Sequence, residues 1–334
     1  MIRFFRQIRQ RLITDNKFSK YLLYAIGEIL LVVIGILIAL QVDNWNEERK
    51  NDEKITTILS DIMDELILDI NSSTDLMKYY ALRDSTIFLV LTNQLTMDDY
   101  EANKIPHLYN ASRTLTSFTP RKDTYLVLNQ NLDIVPDSYK DLLGELSELY
   151  NRYYRIVEDQ NQVLQDLLAE TTRIRSQYYA WHSSNSPDSQ KSRIEFMLND
   201  FRYKNEVMDY RDIAIYNQLN WTIRYRQKAI ECFKNIAKAL DNSGYDDSFV
   251  FNQEVSKILI GDWKVVGEPE TIISFFDDDK RLYYKDNINS GRHEVFWLPP
   301  YKILSDDLLY GSIIKDGNKH FLMFNSFDLQ KVDE

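Results

Sequence analysis

The sequence predicts a mainly α protein, α+β overall, with a single transmembrane helix, an elongated antiparallel helical bundle or coiled coil, and a small C-terminal antiparallel β domain. An apolar run, long stretches with apolar residues at helical spacing, and short strand-like segments near the C-terminus support this fold class. Only nine glycines and seven prolines interrupt 334 residues, which favours long helices. The predicted units are a basic amphipathic segment at 1–20, a transmembrane helix at 21–42, a helical bundle at 43–240, a linker at 241–253 and a β domain at 254–334.

The first 20 residues are basic, with six lysines and arginines and a single acid. Phe4, Phe5, Ile8 and Leu12 recur at spacings of three and four, with arginines between them. This pattern predicts an amphipathic helix lying in the cytoplasmic interface of the membrane, where anionic lipids attract bases. A mitochondrial transit peptide has a similar arginine-rich composition and is the alternative interpretation.

The run YLLYAIGEILLVVIGILIALQV at residues 21–42 is long enough to cross a bilayer, because about 20 apolar helical residues span the hydrocarbon core. Bases precede this run and acids follow it, so the positive-inside rule predicts a cytoplasmic N-terminus and an extracytoplasmic remainder. Tyr21, Tyr24 and Trp45 fit the aromatic belts at the two interfaces. Residues 39–45 form a poor cleavage site, which favours a lasting anchor over the alternative, a cleaved signal peptide.

Two blocks carry a resemblance to a known family. The first is FFRQIRQRLITDNKFSKYLLYAIGEILLVVIGILIALQVDNWNEERK, and the second is FTPRKDTYLVLNQNLDIVPDSYKDLLGELSELY. They resemble an uncharacterised family of single-pass envelope proteins from Bacteroidota, known only as a domain of unknown function. The resemblance implies an inner-membrane protein with a helical periplasmic part. It implies no activity, ligand or catalytic residue.

Beyond the membrane run, apolar residues continue at spacings near 3.5, which predicts that the transmembrane helix extends into the extramembrane region. A separate, shorter helix is expected at residues 81–95. Thr119 as a cap and Pro120 in the first turn predict a further helix that ends near Asn131. The apolar positions of the first extended helix are Ile55, Ile58, Leu59, Ile62, Leu66, Ile70, Leu76 and Tyr80.

Two long helices are expected in the second half of the bundle. Ser138 and Asp141 loosely resemble a capping box at the start of the first, which continues toward Pro187, and the second covers residues 208–240. The predicted buried face of the first contains Tyr139, Leu142, Leu146, Leu149, Tyr153, Ile156, Val163, Leu167, Ile174 and Trp181. That of the second contains Ile213, Tyr216, Trp221, Ile223, Tyr225, Ile230, Phe233, Ile236 and Leu240.

The C-terminal segment predicts a small antiparallel meander or a partly closed barrel. Residues 277–279 and 316–318 are expected at hairpin tips. Gly261 and Trp263 resemble the Gly-x-Trp start of lipocalin-like domains, which implies that the tryptophan packs across a closed barrel end. The segment is short for an eight-stranded lipocalin. Seven strands are expected, at 263–266, 271–276, 281–284, 294–298, 301–304, 309–314 and 321–324.

No catalytic or cofactor motif stands out in the sequence. The four histidines, among them His293 and His320 in the β segment, are far apart, and metal, phosphate-loop and nucleophile-elbow patterns are missing from the sequence. A pair of His293 and His320 on the sheet and calcium binding by residues 277–279 are the minor alternatives. Cys232 has no second cysteine to pair with and falls at an apolar helical position, so a buried thiol is expected. Neither an enzyme nor a bound cofactor is expected.

Composition and topology favour a non-enzymatic envelope scaffold that recruits partners. A sensory or ligand-binding role in the β domain is the alternative, and an envelope enzyme is the third. The net charge of −11 argues against nucleic-acid binding. The expected partners are the lipid bilayer and either a second copy of the chain or another membrane protein.

The expected interaction site lies within the membrane run itself. Glu28 is an acid inside the apolar segment, and Gly27, Gly35 and Ala39 provide small surfaces for close helix approach. Their combination predicts a helix interface within the membrane. The alternative is a Glu28 that is protonated or reaches the headgroups.

Overall fold

The computed structural model describes residues 18–241, 253–278, 281–288, 291–298, 302–316, 319–324 and 327–332. The predicted amphipathic helix at 1–13, most of the predicted linker, and the hairpin-tip residues Asp279, Gly317 and Asn318 lie outside these residues. The described α-helices are α1 (Phe18–Leu91), α2 (Met97–Ala102), α3 (Asp123–Asn129), α4 (Lys140–Glu148), α5 (Tyr154–Tyr178), α6 (Pro187–Asn199), α7 (Phe201–Arg211), α8 (Asn220–Ala239) and α9 (Gln253–Leu259).

Helix α1 is continuous over 74 residues, from the apolar run to the core of the bundle. The predicted separate helix at 81–95 is wrong, because this segment belongs to the same helix as far as Leu91. No glycine or proline follows Gly35 until Pro106, so the sequence offers no residue that would break the helix. All eight predicted apolar positions between Ile55 and Tyr80 are buried. Helix α1 packs against α3, α7 and α8.

A π-helical turn at Leu149–Tyr153 joins α4 to α5 into one long helix and changes which face is buried. A π turn inserts one extra residue into the helical repeat, so positions beyond it rotate relative to a regular pattern. Val163, expected in the core, is exposed, whereas Leu164 and Arg175 are buried. Before the π turn, the pattern was right at Leu142, Leu146 and Leu149, which are buried. After the turn, Ile156, Leu167 and Ile174 are only half-buried, although Trp181 is buried as predicted.

A second π-helical segment, at Asp212–Leu219, joins α7 to α8. The resulting helix starts at Phe201 rather than near residue 208, and the Asp200 carboxylate caps it by accepting from the Arg202 amide at 2.9 Å. Tyr216, predicted to be buried, is exposed, while Ile215 and Leu219 lie in the core. The π-helical segment shifts the phase of the helical repeat here as well, which accounts for the wrong prediction at Tyr216.

The start of α3 is held by carboxylates of α1 rather than by the predicted cap at Thr119. Asp69 accepts from the amide and the guanidinium of Arg121 at 3.0 and 2.7 Å. Glu65 accepts from the Thr124 hydroxyl at 2.7 Å. The predicted box of Ser138 and Asp141 is likewise not formed, since α4 begins after Tyr139 without a side-chain cap.

The C-terminal segment is a closed antiparallel barrel of eight strands in sequence order, not a partly closed sheet. Each of the seven predicted strands is present, and an eighth closes the barrel by pairing with the first at Lys264↔Gln330. The eighth was missed because only Leu329 of its five residues is buried. The strands are β1 (Gly261–Val265), β2 (Glu268–Asp278), β3 (Arg281–Asp286), β4 (His293–Leu298), β5 (Lys302–Ser305), β6 (Tyr310–Asp316), β7 (Lys319–Phe324) and β8 (Phe327–Lys331).

Aromatic side chains pack inside the barrel. The ring centroid of Phe324 lies 5.8 Å from Phe275 and 5.0 Å from Tyr284, both with edge-to-face geometry. At Gly311 the strands approach so closely that a Cβ would lie 2.6 Å from Cγ1 of Ile303. The interior is therefore filled by side chains at this level.

The barrel also packs against the bundle through β4 and β5. Phe296 and Leu304 belong to the same buried cluster as the bundle core. The Arg226 guanidinium of α8 lies 5.2 Å from the Phe296 ring centroid, and the Gln227 amide donates to Glu294 at 3.0 Å. Residues of β4 are consequently covered on both faces.

Candidate functional sites

The membrane-helix residues predicted as an interface lie on the exposed N-terminal part of α1. This helix is long and apolar enough to cross a membrane. Glu28, Gly35 and Ala39 follow one another at spacings of seven and four, so they form one stripe along the helix. Gly27 lies about a quarter turn away, at 100° per residue. A Cβ at Gly27 or Gly35 would meet nothing within 4 Å in the described chain.

Gly261 and Trp263 lie where α9 leads into the barrel. The Trp263 indole is fully buried and donates to the Leu259 carbonyl at 2.7 Å. Gly261 has a φ of 126°, a conformation that L side chains rarely adopt. The Lys331 ammonium lies 5.7 Å from the Trp263 ring centroid and donates to the Ile258 carbonyl at 2.9 Å. These contacts tie the start of the barrel to its last strand.

A histidine and two aspartates meet at the barrel edge that faces the bundle. One ligand atom from each of His293, Asp306 and Asp307 lies within 4.8 Å of the others. Nitrogen and carboxylate ligands of this kind suit divalent metal ions. The pairing Val295↔Ser305 places His293 opposite Asp307, so strand register could have found this cluster from the sequence. The side chain of His320, considered as its partner, lies outside the described residues.

The aspartates of this cluster already have protein partners. The Tyr284 hydroxyl donates to Asp307 at 2.6 Å, and the Gln227 amide of α8 donates to Asp306 at 3.2 Å. His293 Nδ1 lies 3.0 Å from Asp306 Oδ1. These hydrogen bonds make the cluster a polar link between barrel and bundle.

A second polar group, buried in the bundle, contains more arginines than acids. Arg175, in the last turn of α5, is fully buried. Its Nε donates to Glu206 at 3.0 Å, its Nη2 also bonds Glu206, and Nη2 donates to the Ser112 hydroxyl at 3.3 Å. Its Nη1 has no hydrogen-bond partner among the described residues. The guanidinium thus keeps one unused, buried donor group.

Two further arginines, Arg113 and Arg193, adjoin Arg175. Burial lowers the pKa of Arg113, the positive charges of Arg175 and Arg193 lower it further, and Glu206 opposes them. Burial and the charges of Arg113, Arg175 and Arg193 also lower the pKa of His182. The Arg193 guanidinium lies over the Tyr109 ring, and its buried Nε has no hydrogen-bond partner in the described chain. We call Arg113, Arg175, Arg193 and Glu206 the arginine cluster.

Arg83 of α1 lies close to this cluster. Burial raises the pKa of Tyr203, and the positive charges of both Arg175 and Arg83 oppose that rise. Arg83 is fully buried between the rings of Tyr79 and Tyr210, at 5.5 and 5.0 Å from their centroids. Its Nε and Nη2 have no hydrogen-bond partner in the described part of the chain. Cation–π contacts hold the guanidinium plane while leaving these donors unused.

Sequence reasoning missed the arginine cluster. The regular pattern put Ile174 in the core, whereas the π turn before α5 rotates Arg175 inward. Arg113 follows a short helical turn in a stretch without clear periodicity. A change of phase after Leu149 is the signal that could have exposed Arg175, and the sequence alone does not mark the position of a π turn.

No curated protein and no solved structure is significantly similar to this chain. The matched region begins in the apolar part of α1 and ends just before α6, so it contains Arg83, Arg113 and Arg175 but neither Arg193 nor the barrel. Residues 28–186 match a family of unknown function, DUF6090.

Proposed function

We propose that this protein is a non-enzymatic, membrane-anchored scaffold of the bacterial envelope, with a cytoplasmic N-terminus and its bundle and barrel in the periplasm. The observation that carries this proposal is the continuity of α1, which contains both the apolar run and the core face of the bundle. A helix that spans a membrane and continues into a packed core holds the folded part at a fixed distance from the bilayer.

The stripe of Glu28, Gly35 and Ala39 supplies the partner contact within the membrane. Small residues four positions apart allow the backbones of two helices to approach closely. An acid in the apolar interior is stabilised when it hydrogen-bonds across such an interface. The partner is a second copy of the chain or another single-pass protein.

Ligand binding inside the barrel is the weaker alternative. It requires an apolar cavity, whereas the rings of Phe275, Tyr284 and Phe324 contact one another in the interior. Their packing weighs against a ligand at this level of the barrel.

Topology is tested by cysteine labelling of spheroplasts in a Cys232→Ala background. Ser176 is exposed on α5, and Ser19 precedes the apolar run. We expect an impermeant maleimide to label Ser176→Cys in intact spheroplasts and Ser19→Cys only after lysis. Labelling of Ser19→Cys but not of Ser176→Cys in intact spheroplasts would show that the orientation is the opposite of the proposed one.

Partner contact is tested by crosslinking in native membranes followed by mass spectrometry of the co-purified proteins. Gly35→Leu fills the stripe, and Gly27→Leu makes the same change about a quarter turn away. We expect Glu28→Leu and Gly35→Leu to reduce crosslinked species and Gly27→Leu to reduce them less. Recovery of the monomer alone from the wild-type protein contradicts the scaffold proposal.

A further inference from the structure

The arginine cluster contains three cations, Arg113, Arg175 and Arg193, and one acid, Glu206. The Arg175 guanidinium donates to the Ser112 hydroxyl, next to Arg113 in the chain, and lies 5.9 Å from the Phe196 ring, one helical turn after Arg193. Burial and the charges of Arg175 and Arg193 lower the pKa of Arg113, and Glu206 opposes them. Like charges brought together in a poorly solvated site repel strongly, so a fold keeps them there only with compensation. Glu206 is already engaged by two nitrogens of Arg175.

The cluster contains buried hydrogen-bond donors that no protein group uses among the described residues. Nη1 of Arg175 and Nε of Arg193 are buried without a hydrogen-bond partner among the described residues. Aromatic rings fix the guanidinium planes, because Arg175 lies 5.9 Å from the Phe196 centroid and Arg193 lies 5.6 Å from that of Tyr109. A guanidinium that is already oriented loses little freedom when it binds.

The cluster is only partly buried. Arg175 is fully buried, whereas Arg113, Arg193 and His182 are half-buried. We call Arg113 and Arg193 the rim of the cluster, because these two arginines keep some contact with solvent. Charge would attract an anion to the rim before it contacts Arg175.

We propose that the arginine cluster binds a small oxyanion, whose oxygen atoms accept hydrogen bonds from Arg113, Arg175 and Arg193. Carboxylate and phosphate groups share the required chemistry, since both accept paired hydrogen bonds from a guanidinium fork. The Phe196 ring lies 5.9 Å from Arg175 and 5.3 Å from the Trp181 ring, and this aromatic pair offers an apolar contact for the remainder of an organic anion.

Isothermal titration calorimetry of the full chain in detergent tests this proposal, with inorganic phosphate, sulfate, acetate and benzoate as separate probes at constant ionic strength. Saturable binding of phosphate and sulfate alone identifies a tetrahedral oxyanion, and binding of acetate or benzoate identifies a carboxylate. We expect Arg113→Gln and Arg193→Gln to weaken binding at least about tenfold, since each removes a charge-assisted hydrogen bond.

Arg173→Gln is the matched control, because Arg173 lies on the same helix but is exposed and paired with Glu170. We expect it to bind the anion like the wild-type protein. Both rim variants leave the buried pair of Arg175 and Glu206 intact, so loss of folding does not confuse the result. Absence of saturable binding by every probe, or equal affinity in Arg113→Gln, Arg193→Gln and wild type, overturns the proposal.

The histidine resonances give a second readout at the site itself. Neighbouring arginines and burial lower the pKa of His182, so an anion bound among them should raise it. We expect NMR titration to show a higher His182 pKa with the bound probe than without it. A saturable anion that leaves the His182 titration unchanged binds elsewhere and contradicts the assignment. This outcome is independent of partner recovery in membranes.

Discussion

The bundle and the barrel fill their interiors in different ways. Buried polar and charged side chains occur throughout the bundle, whereas the described strands of the barrel bury two such residues, Glu294 and Ser305, beside their apolar cluster. The buried acid of the barrel, Glu294, lies on β4. It accepts a hydrogen bond from the Gln227 amide and forms an ion pair with Arg281. A packed aromatic interior stabilises the fold because apolar side chains fill the space. Buried polar side chains, in contrast, require specific hydrogen-bond partners. The difference favours recognition in the bundle and a structural role for the barrel interior.

The largest expected effect tests the packed interior of the barrel. Phe324 is buried against Phe275 and Tyr284, whereas Phe327, its partner across β7 and β8, is 44% exposed. We expect Phe324→Ala to lower the free energy of unfolding of the barrel by about 3–5 kcal/mol through lost burial and a cavity. Phe327→Ala should change it by less than about 1 kcal/mol.

Hydrogen exchange of the barrel amides measures both variants in the full chain, so the bundle serves as an internal reference. Protection should fall across β1–β8 in Phe324→Ala and remain at the wild-type level in Phe327→Ala. Similar small effects for the two variants would show that the interior is loosely packed and would reopen the case for a cavity.

The next effect tests whether the bundle depends on buried charge. Arg175 is 0% exposed and pairs with Glu206, whereas Arg173 and Glu170 form an exposed pair on the same helix. We expect Glu206→Gln to cost about 3 kcal/mol, because it leaves the buried guanidinium without its counter-charge. Glu170→Gln should leave the stability close to that of the wild-type protein, since exposed pairs contribute little.

A double-mutant cycle measured by chemical denaturation separates the pair from its surroundings. Arg175→Met combined with Glu206→Gln removes both charges, so the double variant should be more stable than Glu206→Gln alone. Additive losses in the cycle would contradict the coupling and would assign Arg175 to packing.

A smaller effect tests the neutral hydrogen bonds of the bundle core. The Tyr80 hydroxyl donates to the Gln218 side chain at 2.7 Å, and the Gln218 amide donates to Asn161 at 2.7 Å. Tyr80→Phe leaves a buried acceptor without this donor, so we expect a loss of about 1–2 kcal/mol. The control is Tyr178→Phe, because Tyr178 is exposed and should tolerate the change. Equal thermal unfolding of the two variants would contradict a role for this network.

Local patterns predicted the parts of the fold that regular repeats determine. The apolar spacing from Ile55 to Tyr80 identified the buried face of α1, and seven of the eight strands were visible as apolar segments. The π turns were not predictable, because their extra residue is stabilised by tertiary packing rather than by one residue type. Barrel closure also escaped prediction, since β8 contributes one buried side chain, Leu329.

The candidate sites differ in the same way, since one lies on a regular helix and the other combines irregular elements. The stripe of Glu28 and Gly35 is readable from the sequence because it lies on a regular helix. The arginine cluster is not readable, since it combines α5 after a π turn with α6, α7 and an irregular segment at Arg113. Residues that are far apart in sequence and meet through irregular elements can be identified only from the structure.

The smallest expected effect on stability concerns Cys232, where burial in the bundle suppresses ionisation of the thiol. Burial raises the pKa of the Cys232 thiol to about 12, with Lys228 opposing and Glu145 adding to the rise. The thiol is therefore protonated at pH 8 in the folded protein, and only the thiolate reacts readily.

We expect Ser176→Cys, on the exposed face of α5, to react with a maleimide much faster than Cys232 does. Because the folded pKa lies above that of an unfolded cysteine, this group should reduce stability only as pH rises above about 9. Rapid labelling of native Cys232 at pH 8 would mean that α8 opens locally and that this part of the bundle is less well packed than the barrel.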